Sequence, residues 1–171
     1  MGRRQSFALS DNDYMRMAII AAAQSPDPST QNGAVLVTAD GVVYPGWNRF
    51  ARNLAVTDER LADRDVKMRL TVHAEETAIG AALRDGSDTE GATLYCIWAA
   101  CTRCALAIVE AGVDKMVTLQ SYYDMSPERW KPDIDLADEM LREAGVITYK
   151  LAETPEEVGG LRFNGTPLSK P

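Results

Sequence analysis

The chain has 171 residues, 46% of them hydrophobic and 25% charged, and a formal net charge of −7. That length and balance describe one globular domain that buries its own core without a disulfide scaffold. They argue against a membrane span, which needs about 18 consecutive apolar residues, and against tight nonspecific binding to a nucleic-acid backbone, which calls for basic patches.

Residues 1–9 form a short polar and basic lead. Met1–Ser6 opens no apolar stretch, so a secretory signal is not expected and the cytoplasm is the expected compartment. Met1-Gly2 followed by Ser6 also fits the short N-myristoylation pattern, with nothing else in the chain suggesting a membrane protein. Ser10 and Asp11 offer N-caps for a helix to about Gln24, with Tyr14, Met17, Ala18 and Ala21 at helical spacing. Pro26 and Pro28 end it. Ala34–Thr38 and Val42–Trp47, separated by a tight turn with Gly41, read as a β-hairpin.

Residues 48–71 are long, charged and poorly patterned, which marks a functional loop, with a short helix expected over Thr57–Met68. A helix follows from Ala74 to Arg84. Ala92–Trp98 is apolar on both faces, as a central strand should be. A helix over Cys101–Ala111 closes at Gly112, and Lys115–Leu119 is the fourth strand. A loop with Pro127 and Pro132 leads to a helix near Leu136–Ala144, then to a fifth strand, Val146–Leu151. The stretch from Ala152 is rich in Pro, Gly and Glu and reads as a tail or arm (152–171) on a domain of residues 1–151. Its Asn164-Gly165-Thr166 is a glycosylation sequon, without meaning in a reducing compartment. The order predicts an α/β fold: three α/β/α layers around a five-stranded mixed sheet.

The chemistry concentrates in two segments. Three cysteines are too few and too unevenly placed for a disulfide framework, but Cys101 and Cys104 stand three apart. The single histidine is His73, followed two residues later by Glu75. Both segments deliver the chain into a helix N-terminus. A bare C-x-x-C is metal or redox without preference, and a lone His is more often structural. Together, one imidazole and two thiolates suit zinc with a fourth position left for water. Zinc lowers the pKa of such a water towards neutrality, and helix N-termini favour thiolates. Glu75 is near the metal without being required as a ligand, which suits a proton carrier.

His-x-Glu followed by Cys-x-x-Cys is the zinc-deaminase pattern, and here the chain resembles the cytidine deaminase-like superfamily, within it the deoxycytidylate (dCMP) deaminases. The resemblance runs from about Tyr14 to Lys150. It includes Asp27-Pro28-Ser29-Thr30-Gln31 before Gly33-Ala34-Val35-Leu36-Val37, then Gly46-Trp47-Asn48, His73-Ala74-Glu75 with Ala78-Ile79, and Ala92-Thr93-Leu94-Tyr95. A helix between the fourth and fifth strands makes them parallel, as in dCMP, tRNA-adenosine and polynucleotide deaminases; free-cytidine deaminases have them antiparallel.

The resemblance implies zinc (Zn2+) held by His73, Cys101 and Cys104, and Glu75 moving protons during hydrolytic deamination of dCMP to dUMP and ammonia. It implies that the Ala74 N–H meets the base carbonyl and that Asn48 meets base or sugar. Arg49, Arg52 and Arg103 are candidates for the phosphate and Tyr122 for the base, each with ordinary surface or core roles as the alternative. It further implies a small-molecule nucleotide partner, no stable nucleic-acid or membrane partner, and a homo-oligomer.

Alternatives remain: a modified cytosine nucleotide, a nucleoside or another aminopyrimidine, a base in tRNA or single-stranded DNA, or a non-catalytic zinc-binding regulator. Ala100 stands where the family usually has Pro, Thr77 where dCMP deaminases commonly have Asn, and Trp47 where Tyr is usual. Arg49-Phe50-Ala51-Arg52 replaces a Gly-x-Pro-x-Gly run that belongs, in regulated members, to control by dCTP and dTTP.

Overall fold

The computed structural model of the chain describes residues 9–170. The N-terminal myristoylation pattern lies outside the described residues.

Helix α1 (Asp11–Ala22) opens on a reciprocal capping box. Asp13 N–H donates to Ser10 Oγ at 3.2 Å, and Ser10 N–H to Asp13 Oδ2 at 2.9 Å, so two orphan donors of the helix end are satisfied. Strands β1 (Gly33–Val37) and β2 (Val43–Trp47) form the expected hairpin, with Gly41 at φ 88° in its turn. β1 also pairs antiparallel with β5 (Ala92–Cys96), and with both edges taken it is buried along its whole length.

β5, β6 (Val113–Leu119) and β7 (Ile147–Leu151) are parallel, so the five-stranded sheet runs β2-β1-β5-β6-β7. Parallel neighbours need crossovers; α5 (Thr102–Glu110) and α7 (Lys131–Glu143) supply them. The mixed sheet with parallel last strands is therefore as expected. Its alternation sorts the core into two layers. Ala34, Leu36, Leu94, Cys96 and Met116 face α4 (Ala74–Asp85), α5 and α7. Val35, Val37, Tyr95, Ile97 and Val117 face α1 and the C-terminal segment.

The long 48–71 segment is anchored at its root. β3 (Arg49–Phe50) pairs antiparallel with β4 (Thr71–Val72), so the chain leaves and returns at one point, between Asn48 and His73. Two short helices, α2 (Asp58–Ala62) and α3 (Arg64–Leu70), stand where one was expected. Asp63, at φ −79° and ψ 107°, breaks the first and caps the second through Asp65 N–H and Val66 N–H, each at 3.0 Å. No residue of either helix is buried.

Tyr122 and Tyr123 lie on a short helix, α6 (Gln120–Asp124), that follows β6. Two further expectations are corrected. α7 begins at Lys131 rather than Leu136, because Pro132 falls in its first turn, where its missing N–H costs nothing. The segment from Ala152 is no free arm. A 3₁₀ turn (Glu156–Val158) and a hairpin of β8 (Arg162–Phe163) with β9 (Thr166–Pro167) bury Val158, Leu161 and Phe163 in the α1-side core. The Phe163 ring meets Trp98 at 4.9 Å and Tyr122 at 5.0 Å, both edge-on. Composition hid three apolar anchors spaced too irregularly to form a pattern. Among the described residues, no helix is long and apolar enough to cross a membrane.

Candidate metal and active site

Two helix N-termini meet at the sheet. His73 is the N-cap of α4 and Cys101 the N-cap of α5, both extended at φ −74° and −83°, while Cys104 is buried in the first turn of α5. The His73 ring and the Cys101 thiol face each other, and carboxylates serve the two helix starts. Glu76 accepts the His73 N–H at 3.0 Å and pairs with Arg103. Asp133 of α7 accepts the Thr102 N–H at 3.1 Å and its hydroxyl at 2.8 Å.

His73 Nδ1 stands 3.3 Å from Cys104 Sγ and 3.5 Å from Cys101 Sγ. The three donor atoms lie within 4.8 Å of one another. Tetrahedral zinc with ordinary Zn–N and Zn–S bonds sets such N–S edges at about 3.5 Å, so the donor set fits that metal. Electrostatics agrees. The Cys101 thiol is held down, to about 4, by the Cys104 S–H and by His73, against burial. Cys104, which lends that proton, is pushed up. For His73, burial pulls downward, yet the bond to Cys101 and the charge of Glu75 leave it raised.

Glu75 lies beside this group, 2% exposed, and its Oε2 finds no hydrogen-bond partner among the described residues. Burial raises its carboxyl from 4.5 to about 7, opposed by the charge of His73. A carboxyl placed so is suited to general acid–base work.

His73, Glu75 and Cys101 line a cavity of about 460 Å³. Its lining includes the Asp27–Thr30 loop with Asn32 and Asn48, and Leu61, Arg64, Lys67 and Met68 from the two short helices. Trp98, Pro127, Trp130 and Ile134 form an apolar side, and Asn164 and Gly165 of the C-terminal hairpin complete the rim.

Of the six substrate-contact candidates, the structure brings Asn48 to this cavity. Its Oδ1 accepts Asn32 N–H and its Nδ2 donates to Thr30 O, each at 2.8 Å, which fixes Asn48 against the 27–32 segment. Ala74 is fully buried, its N–H in the first turn of α4, where no helical acceptor exists. Ala74 and the other four candidates are outside the lining. Arg49 donates to Phe50 O, Arg52 is exposed, Arg103 is committed to Glu76 and Thr71 O, and Tyr122 is buried against Phe163. The cations of the cavity are instead Arg64, Lys67 and Arg129. The first two lie in the stretch whose charge and length mark it as functional. Nothing local in the sequence points to Arg129, Trp130 or Asn164.

Comparison with known proteins bears on this geometry. The family model for the cytidine and deoxycytidylate deaminase zinc-binding region matches residues 9–120. An uncharacterized deaminase in the luxG 3′ region of Aliivibrio fischeri is 34% identical over 136 residues, 78% of this chain and 87% of its own. The deoxycytidylate deaminase of Saccharomyces cerevisiae is 32% identical over 155 residues, covering 85% of this chain and 46% of its own. That of phage T4 is 33% identical over 110 residues, 64% and 51% respectively. The chain thus spans about half the length of the yeast and phage relatives. In fold it is similar to the dCMP deaminase of cyanophage S-TIM5 in complex with dCMP and dUMP, with TM-score 0.62, 20% identity, and coverage of 82% of this chain and 95% of that one.

Proposed function

Because the chain belongs to the cytidine and deoxycytidylate deaminase zinc-binding family, we propose that it hydrolyses the exocyclic amine of dCMP, or a close cytosine nucleotide, to give dUMP and ammonia. One observation carries the reading: a buried Glu75, its Oε2 without a partner among the described residues, beside a His73–Cys101–Cys104 group on the wall of one cavity. The deoxycytidylate deaminases among its relatives favour the deoxynucleotide.

In this proposal His73, Cys101 and Cys104 would hold zinc, which would supply a Lewis acid able to make a water reactive near neutral pH. Glu75 takes one proton from the attacking water and passes it to ring N3 as the water oxygen bonds to C4. It then takes the second proton from the new C4 hydroxyl and gives it to the amine as the C4–N bond breaks, so that the C4 carbonyl forms and ammonia leaves. The Ala74 N–H at the start of α4 meets the base carbonyl. Asn48 holds the base or sugar with the amide hydrogen not spent on Thr30. Trp98 and Trp130 keep the apolar side of the cavity dry, which strengthens each of these polar contacts.

The test is ammonia release by the zinc-loaded protein on dCMP, CMP, deoxycytidine, 5-methyl-dCMP and a short cytosine oligonucleotide. Turnover of dCMP well above that of deoxycytidine is expected. Silence across the panel with zinc bound overturns the cytosine substrate class. Preference for the oligonucleotide overturns the small nucleotide.

A further inference from the structure

The cavity has a buried end and an exposed end. Glu75 is buried, whereas Arg64, Arg129 and Asn164 are exposed. The three cations that line it differ in what already holds them. Lys67 Nζ is 2.9 Å from Asp27 Oδ1, with both side chains nearly buried at 12% and 13% exposure. Asp27 Oδ1 also accepts Ser29 N–H at 2.8 Å and Thr30 N–H at 3.1 Å. Lys67 is therefore spent on shaping the wall. Arg64 and Arg129 pair with no carboxylate among the described residues. In a chain of net charge −7, two uncompensated guanidinium groups line the outer part of one cavity.

Arg129 is oriented without being neutralised. Its Nη2 donates to Asn164 Oδ1 at 3.2 Å, and its guanidinium lies 6.0 Å from the Trp130 ring centroid. Asn164 is in turn fixed from both sides. Its backbone takes the left-handed φ of 49°, and its N–H donates to Thr30 Oγ1 at 3.0 Å. Gly165 N–H donates to Ser29 O at 2.8 Å, and Gln31 N–H to Arg162 O at 2.9 Å. Phe163 locks the hairpin from below. A hairpin so fixed, presenting a neutral amide to an arginine at a cavity rim, leaves the remaining guanidinium donors for an incoming anion.

We infer that Arg129, positioned by Asn164, and Arg64 of α3, which lines the same cavity, recognise the phosphate monoester of the substrate. This rests on the nucleotide reading above and deepens it. The chain's choice of a nucleotide over a nucleoside then depends on residues 129 and 164, beyond the 9–120 segment that carries the family match. Asn164 is a positioning residue, and Arg64 and Arg129 are the contacts.

Two measurements on the zinc-loaded full chain test this. The first is kcat and KM for dCMP and deoxycytidine. The second is equilibrium binding of dUMP, deoxyuridine and inorganic phosphate, read by tryptophan fluorescence because Trp98 and Trp130 line the cavity. Arg129→Ala and Arg64→Ala should each weaken dUMP binding and raise the KM for dCMP by about 10- to 100-fold, as loss of a charge-assisted hydrogen bond does. Deoxyuridine binding and deoxycytidine turnover should stay within about twofold by the same reasoning. Arg129→Lys should retain part of the effect, since it keeps the charge and loses the fork. Asn164→Asp should lower affinity for phosphate and dUMP by pairing Arg129 with a carboxylate, and Asn164→Gly should lose less, keeping the left-handed backbone.

The inference is overturned if both arginine variants bind dUMP as the parent does, or if Arg49→Ala carries the loss instead. It is overturned too if the parent protein binds neither dUMP nor phosphate at millimolar concentration. If no cytosine compound is deaminated but phosphate or dUMP binds and Arg129→Ala abolishes that binding, the anion site stands and the deaminase reading falls. If dCMP and deoxycytidine are turned over alike, by parent and variants, the deaminase reading stands and the anion site falls.

Discussion

Asp133 and Thr102 are joined by two hydrogen bonds across the contact between α7 and α5, 3.1 Å from the Thr102 N–H and 2.8 Å from its hydroxyl. The N-cap of α5 is Cys101, whose sulfur turns towards His73 and makes no cap bond of its own. Asp133 supplies the missing acceptor and thereby sets the helix that carries both thiols.

Removing it should therefore loosen the metal rather than the sheet. Asp133→Ala should cost about 1 kcal/mol of stability, as loss of a cap does. It should weaken zinc retention by about 10- to 100-fold, the usual effect of losing an outer partner of a ligand set. Competition with a chromophoric chelator measures the second quantity, and unchanged zinc affinity would show that Asp133 only stabilises the helix.

Glu75→Gln keeps the size of the side chain and removes its proton exchange. Turnover should fall by about 10²- to 10⁴-fold, the range expected for one acid–base group, with zinc content unchanged by elemental analysis. A loss under about tenfold would reassign the proton carrier.

The same residue makes the metal-free protein sensitive to pH. In the folded chain the Glu75 carboxyl exchanges near 7, against 4.5 as its ordinary value. Between these pH values the folded state keeps a proton that the unfolded chain has released. Stability relative to Glu75→Gln therefore falls as pH rises from about 4.5 through 7, by a total on the order of 3 kcal/mol. Taking the difference from Glu75→Gln removes the opposite trend of Cys101, whose depressed thiol adds stability as pH rises. Urea denaturation of both zinc-free proteins at pH 5 and pH 8 checks the sign; a difference that grows with pH contradicts the burial of the charge.

Gly46 sets the distance between β2 and α4. A Cβ there would stand 2.4 Å from Ala78 N and 2.5 Å from Ala74 O, both backbone atoms. Gly46→Ala must push back the helix that His73 caps. A loss of about 1–3 kcal/mol is expected from such overpacking, together with weaker zinc binding. Calorimetry and metal content measure the two, and a Tm matching the parent would mean that the helix retreats freely.

Phe163→Ala tests whether the C-terminal segment belongs to the core. Loss of its contacts with Trp98 and Tyr122 should cost about 3–5 kcal/mol. A Tm within a degree of the parent would restore the reading of a free arm.

Sequence alone determined what depends on neighbours in the chain. Ala34-Val35-Leu36-Val37 marks a strand because a short, unbroken apolar and β-branched run ahead of a turn suits a strand buried on both faces. His73-Ala74-Glu75 and Cys101 with Cys104 are legible because a helix N-terminus displays residues within one turn of each other. The short helices at 58–70 and the true start of α7 are less legible, since one capping Asp63 or one proline at a helix entrance shifts a boundary without changing the pattern around it. Tertiary structure alone decided which charges meet the cavity. Arg49, paired with Val72 at the root of the loop, and the exposed Arg52 miss the lining, while Arg129 and Asn164, far apart in sequence from the zinc-type residues and from each other, reach it. Such long-range contacts cost loop-closure entropy and leave no periodicity in the chain; they form because burying Phe163, Val158 and Leu161 against the sheet carries the hairpin to the rim.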